Sequence, residues 1–185
     1  MKVGIISDTH GCVDRFTLAY NKLFTDADMI IHAGDVLYHG PRNPMLPDYN
    51  PAKLAEKLNS LPMPVVVTRG NCDSEVDTLV LNMPIQAPYT YVVIDGFKIV
   101  TTHGHYVMTD KEKDDMAAHL KADLFISGHV HINVLEKRGN TIFLNPGSPA
   151  LSKREDGRQT AAVLSDKKIE IFDIDTDEVL LSIDR

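Results

Sequence analysis

Five short runs rich in β-branched residues, each broken off by a cluster of Asp, His, Asn and Gly, constrain this chain more than any other feature. The runs are Val3 to Ile6, Met29 to Ala33, Pro64 to Thr68, Lys98 to Thr102 and Asp123 to Ser127. The clusters that end them are Asp8-Thr9-His10, Gly34-Asp35, Gly70-Asn71-Cys72-Asp73, His103-Gly104-His105 and Gly128-His129-Val130-His131. Runs this short and apolar predict buried strands. Between them, Asp14 to Phe24, Pro51 to Leu61 and Lys111 to Leu120 have helical spacing. Asn50 is placed to cap the second helix and Pro51 suits its first turn. The alternation predicts an α/β fold with a largely parallel central sheet.

Asp95-Gly96 is a hairpin signal between Tyr91 to Ile94 and Phe97 to Val100. Beyond about residue 132 the pattern changes to strand pairs, with turn-like breaks at Arg138-Gly139-Asn140 and Ser165-Asp166-Lys167-Lys168. A second, more antiparallel sheet, packed face to face on the first, is therefore expected. Leu37 to Asn50 carries three prolines and a glycine without periodicity, and reads as a loop long enough to be functional.

At 185 residues the chain has the length of one domain, expected over 1–185. A hydrophobic share of 43% and a charged share of 24% exclude the disordered and fibrous classes. No apolar run approaches the roughly 18 residues of a membrane helix. The start, Met1-Lys2-Val3-Gly4-Ile5-Ile6, runs straight into the first polar cluster without a cleavage site, so a cytoplasmic location is expected. A net charge of −7 argues against broad nucleic-acid binding, which needs a clustered basic surface, but leaves small phosphorylated substrates open. Cys12 and Cys72 read as free thiols in such a compartment.

In open α/β sheets ligands gather beyond the carboxyl ends of strands, which is where the five clusters fall. In extended backbone, residues two apart share a side, so Asp8 with His10, and His129 with His131, can each converge on one metal centre. Imidazole, carboxylate and amide oxygen together suit Mn, Fe, Zn, Co or Ni better than Ca, and no thiolate cluster suggests a structural zinc site. Taken singly, Asp-x-His or Gly-Asp is an ordinary turn or helix start, and one histidine an ordinary core residue. The five in this order, each after a strand, favour a metal site.

These residues resemble the calcineurin-like metallophosphoesterase superfamily, whose pattern is D-x-H, G-D, G-N-H-[DE], then a histidine before G-H-x-H. The similarity extends to small bacterial phosphodiesterases of the YfcE type through Gly34-Asp35-Val36, His39-Gly40-Pro41-Arg42-Asn43, the stretch from Arg69 to Asp77, and Asn145-Pro146-Gly147-Ser148. The resemblance implies a four-layer α/β/β/α sandwich of two mixed sheets flanked by helices. It implies one divalent ion on Asp8, His10 and His131 and another on Asn71, His103 and His129, with Asp35 bridging; Mn comes first among the candidates. It also implies hydrolysis of a small phosphodiester by a water or hydroxide held between the ions. A homo-oligomer is suggested, and neither membrane nor nucleic acid is an expected partner.

Cys72 departs from the superfamily pattern, which has a histidine there. A thiol with an ordinary pKa near 8.5 cannot be cationic and is a weak general acid, which points toward diesters rather than monoesters. Cys72 and Asp73 are the candidate catalytic residues, Arg42 and His105 the candidate substrate contacts. For each there is a plainer alternative: a small packed thiol, a turn carboxylate, a solvated arginine, a loop cap. His32 reads as a core histidine. A phosphomonoesterase or nucleotide hydrolase of the same fold is the alternative activity. A non-catalytic scaffold like the retromer subunit of this fold is the alternative class, but a scaffold has no need of all seven ligands.

Overall fold

The five apolar runs form strands within one residue of their expected bounds, but they divide between two sheets. The computed structural model describes residues 1–185. Along the chain the strands are β1 (Val3–Ile6), β2 (Met29–His32), β3 (Val65–Thr68), β4 (Ile85–Gln86), β5 (Thr90–Ile94) and β6 (Phe97–Thr101). They continue as β7 (Leu124–Ile126), β8 (Val134–Arg138), β9 (Thr141–Asn145), β10 (Thr160–Leu164), β11 (Lys168–Asp173) and β12 (Val179–Asp184). The helices are α1 (Val13–Ala19), which runs on into a π turn over Tyr20–Phe24, α2 (Pro51–Asn59), the short α3 (Asp77–Val80) and α4 (Asp110–Leu120).

The first sheet has the order β12-β11-β10-β1-β2-β3-β4, with β1 to β4 parallel and β10 to β12 antiparallel. The second has the order β5-β6-β7-β9-β8, parallel at its centre and closed by an antiparallel pair on each side. Both sheets are thus mixed, as the resemblance implies, and the Asp95-Gly96 hairpin forms where it is expected. Both of its residues have positive φ (50° and 81°), the turn type that folds strands tightly back, so β5 and β6 pair with each other. The strands after residue 132 split likewise: β8 and β9 join the second sheet, while β10 pairs with β1.

Three apolar clusters show the layering. Ile6, Ile30 and Val67 of the first sheet pack with Phe16, Phe24, Leu54 and Leu58 from the α1 and α2 side. Val3, Ile5 and Ile31 pack with Ile99, Leu124, Ile126 and Leu144, closing one sheet onto the other. Val100, Phe125 and Phe143 pack under Ala117 of α4. Helices, sheet, sheet, helix is a four-layer sandwich, and because β1 to β3 are covered on both faces their runs are apolar throughout rather than alternating. Gly4 makes the first contact possible, since a Cβ there would lie 2.6 Å from the Phe24 ring. Asn50 caps α2, its side chain accepting from the Lys53 N–H at 3.1 Å. No helix is long and apolar enough to cross a membrane.

Candidate metal centre

Parallel pairing puts the carboxyl ends of β1, β2 and β3 at one edge of the first sheet, and those of β6 and β7 at one edge of the second. The loops leaving these edges carry the candidate ligands together. Asp8 Oδ1 lies 3.1 Å from His131 Nε2, 3.7 Å from His10 Nε2 and 3.9 Å from His103 Nε2. Asp35 Oδ2 lies 3.3 Å from His103 Nε2 and 3.7 Å from His10 Nε2. Asn71 Oδ1 is 3.1 Å from His103 Nε2, and the His129 ring stands 5.2 Å from that of His103. Asp8, His10 and His131 therefore make one group and Asn71, His103 and His129 another, with Asp35 between them.

The backbone that does this is not extended. Of eight non-glycine residues with positive φ, five are candidate ligands: Asp8 (56°), His10 (46°), Asp35 (56°), His129 (71°) and His131 (59°). Strained backbone of this kind persists where the surroundings over-determine it, and here it clusters at one site. Asp8 and His10 still converge, but His129 and His131 diverge, one toward His103 and the other toward Asp8, so the expectation that they share a centre is corrected.

The surrounding contacts orient each donor. His10, His103 and His131 each pair Nδ1 with a backbone carbonyl, of Tyr38, Ala33 and Leu151, at 2.8, 2.8 and 2.7 Å. A carbonyl only accepts, so each Nδ1 carries the hydrogen and each Nε2 is turned inward as a donor for a cation. His10 Nε2 and His131 Nε2 then face one another at 3.1 Å. Asp8 Oδ2 accepts from Ser7 Oγ at 2.6 Å and the His129 N–H at 3.0 Å, whereas its Oδ1, fully buried, accepts no hydrogen bond. Opposed imidazole lone pairs and an unpaired buried carboxylate oxygen call for a positive charge between them. Divalent ions fit this donor set of nitrogen and oxygen.

Charge agrees with geometry. Burial opposes the charged forms of Asp8 and Asp35, yet His131 and His103 hold Asp8 below the ordinary carboxylate range, and His103 with the Cys72 N–H hold Asp35 well below it. Burial also opposes the His103 imidazolium, but Asp35 and Asp8 raise it to about 9. Burial lowers His10 and His129.

Asp73 touches no imidazole. Its carboxylate accepts the N–H groups of Asp35 at 2.9 Å, Val36 at 2.7 Å and Gly70 at 2.7 Å, so it locks the Asp35 loop to the Asn71 turn. Cys72 donates its N–H to Asp35 Oδ1 at 2.8 Å, and its sulfur comes close to His10 and Asp35. Burial, then Asp35, push the Cys72 thiol up to about 12, so it stays neutral. Arg42 is exposed on a cleft of about 850 Å³ that Asp35, Asn71, His129 and His131 also line. His105 is outside that cleft. It lies beyond Asn71 in a smaller one of about 490 Å³, beside Arg69 and Tyr106. Cys12 is buried and, pushed up to about 12 by burial, inert. His32 is a core histidine, with Nε2 2.9 Å from Thr9 Oγ1 and Nδ1 accepting from the Gly34 N–H at 3.2 Å.

Two further contributors lie outside the five strand-end clusters. Lys153 is exposed at the rim of the large cleft, and neither it nor Arg42 forms an ion pair. Ser148 Oγ donates to the Asp8 carbonyl at 2.7 Å, and Asn145 Nδ2 to the Gly128 carbonyl at 2.9 Å, so the Asn145-to-Ser148 turn ties two ligand loops together. That turn is one of the stretches that carry the family resemblance, while nothing local to Lys153 marks it.

A buried Asp/His/Asn edge shared by two stacked mixed sheets defines a class, the metallophosphoesterases. Residues 1–168 match the calcineurin-like phosphoesterase superfamily domain, and the chain belongs to that superfamily. It is 39% identical over 155 residues to phosphodiesterase YfcE of Escherichia coli strain K12, covering 83% of this chain and 82% of that one. The solved structure of the E. coli YfcE phosphoesterase matches with a TM-score of 0.84 at 30% identity, over 99% of this chain and 98% of that one. Vps29 of Entamoeba histolytica complexed with Zn²⁺ matches with a TM-score of 0.72 at 21% identity, over 100% and 99%, and shares the fold.

Proposed function

We propose that this protein hydrolyses phosphodiesters with two divalent ions, manganese first among Mn, Zn, Fe, Co and Ni. Asp8, His10 and His131 would hold one ion, and Asn71, His103 and His129 the other, with Asp35 shared. Ions held there supply Lewis-acid charge to phosphoryl oxygens and make water a nucleophile near neutral pH. The observation that carries the reading is the unpaired, fully buried Asp8 Oδ1 facing three inward-turned Nε2 atoms.

The chain's own groups divide the remaining work. Arg42 and Lys153 attract the anionic ester to the cleft, and the planar fork of Arg42 matches phosphate oxygens. Asp73 is a positioning residue that fixes Asp35 and Gly70 through their amides. Cys72 stands beside the reacting position as a neutral thiol, which can neither pair with the second charge of a monoester nor readily protonate a leaving alkoxide. That favours diesters.

The test is to strip the protein of metal and resupply single ions, with bis(p-nitrophenyl) phosphate and p-nitrophenyl phosphate as substrates. Ion-dependent hydrolysis of the diester should return and exceed that of the monoester. Asn71→Ala or His129→Ala should each lower kcat/KM by at least about 100-fold, the scale of losing transition-state charge stabilisation. Ion binding alone does not separate an enzyme from a scaffold of this fold. Tight binding of every ion with no hydrolysis would sink the proposal.

A further inference from the structure

A second groove adjoins the metal cleft. It has a volume of about 710 Å³, and Tyr38, Cys72 and Ser74 line both spaces. Its apolar lining includes Leu37, Ala52, Ala55, Val76 and Val80, the last two at the N-cap and the end of α3. The size is that of a small-molecule pocket.

The two spaces differ in the charge they offer. The metal cleft has Arg42 and Lys153 at its rim. The groove has no lysine or arginine, and its polar side chains are mostly engaged within the chain. Asp77 accepts the Ser74 N–H at 2.8 Å and Ser74 Oγ at 3.0 Å. Asn59 donates to the Val80 carbonyl at 2.8 Å and accepts the Asn82 N–H at 2.8 Å. Only Glu56, exposed and without an ion pair, keeps a free charge there, and its sign repels phosphate. Val76 and Val80 are 59% and 47% exposed, so the apolar wall is open to an occupant.

We propose that this groove is the subsite for one ester arm of the substrate, and that the arm is uncharged and apolar, an aryl or branched alkyl group. The phosphate sits in the metal cleft and the arm passes between Tyr38 and Cys72 into the groove. The shared lining of the two spaces carries the assignment, because a group linked to phosphorus by one oxygen has only the Tyr38–Cys72 boundary to cross. The absence of cations in the groove excludes a second phosphate as its occupant. This inference rests on the phosphodiesterase reading and narrows its substrate class.

The test compares two symmetric diesters, diphenyl phosphate and dimethyl phosphate, bound to the Mn-loaded protein by calorimetry. The phenyl compound should bind at least tenfold tighter, and exposed Val80→Lys or Ala52→Trp should remove that advantage while leaving dimethyl phosphate within twofold. Circular dichroism and bound Mn confirm that both variants are folded. Equal affinities for the two diesters, or a phenyl advantage that survives both substitutions, would overturn the subsite. Failure to bind either diester, or bis(p-nitrophenyl) phosphate left intact, would overturn the underlying reading instead.

Discussion

Cys72 sits where the superfamily pattern has histidine, and its surroundings keep the sulfur protonated. Restoring an imidazole supplies a cation and a general acid, so Cys72→His should raise the ratio of monoester to diester kcat/KM about tenfold or more, within the range proton transfer contributes. The ring must displace the loop at Gly40, where an added Cβ would meet the sulfur at 2.9 Å. Paired assays with the two p-nitrophenyl substrates read the ratio; an unchanged value removes Cys72 from the account of specificity. His32 gives a prediction about stability. Burial lowers it from 6.5 to about 4, so the unfolded chain takes up its proton first as pH falls. The stability it contributes is complete above pH 6.5 and is lost as pH falls through 4, by about 3 kcal/mol. Urea melts between pH 7 and 4, with imidazole NMR of His32, measure this, and a protonated His32 in folded protein at pH 5.5 contradicts it. At this scale the sequence showed which side chains gather, because Asp, His and Asn at strand ends form a recognisable pattern. It did not show that five of them adopt left-handed backbone, since residue type alone does not set φ outside glycine and proline.

Strands and helices were legible wherever burial leaves a continuous or periodic apolar trace, as in β1, β2 and α4. The short α3 and β4 left none, being too brief for a period to register. Sheet membership was also invisible: the β10 run reads like any apolar strand, and only its register with β1, Val3 opposite Leu164, assigns it to the first sheet. How the strand-end loops press on each other is likewise a property of the assembled elements. The loop after β7 lies against the loop after β1 at Gly128, where an added Cβ would stand 2.0 Å from Ser7 Oγ and 2.8 Å from Asp8 Oδ2. Gly128→Ala must push the two loops apart and break the 2.6 Å bond from Ser7 to Asp8. Overpacking of this kind costs about 1–3 kcal/mol, and Mn affinity should fall at least tenfold as Asp8 turns. Denaturation and Mn titration test both effects. Wild-type affinity in a folded variant would show that the contact between these loops does not set the position of Asp8.

The candidate ligands come from both sheets: Asp8, His10, Asp35 and Asn71 from the first, and His103, His129 and His131 from the second. Ions held among them join the two halves of the sandwich, and a ligand at 100 times its Kd adds about 2.7 kcal/mol to the folded state. The size of that gain depends on pH through His103. In the ion-free protein His103, raised from 6.5 to about 9, is protonated at pH 7. An ion taking its Nε2 must displace that proton, so binding at pH 7 should release about one proton, and affinity should rise about tenfold per pH unit until about 9. The ion-free protein shows the opposite sign. Its charged His103 contributes stability fully below pH 6.5 that is lost as pH rises through 9, so the gap between ion-loaded and ion-free melting temperatures widens across that window. Calorimetry in two buffers of different ionisation enthalpy counts the proton, and melts with and without Mn at pH 6.5, 7.5 and 8.5 follow the gap. His103→Asn keeps a neutral polar side chain but has no proton to lose, and should flatten the pH dependence even where some affinity survives. If affinity stays constant from pH 6.5 to 8.5 in the wild type, the proton is not held on Nε2 beside the two carboxylates.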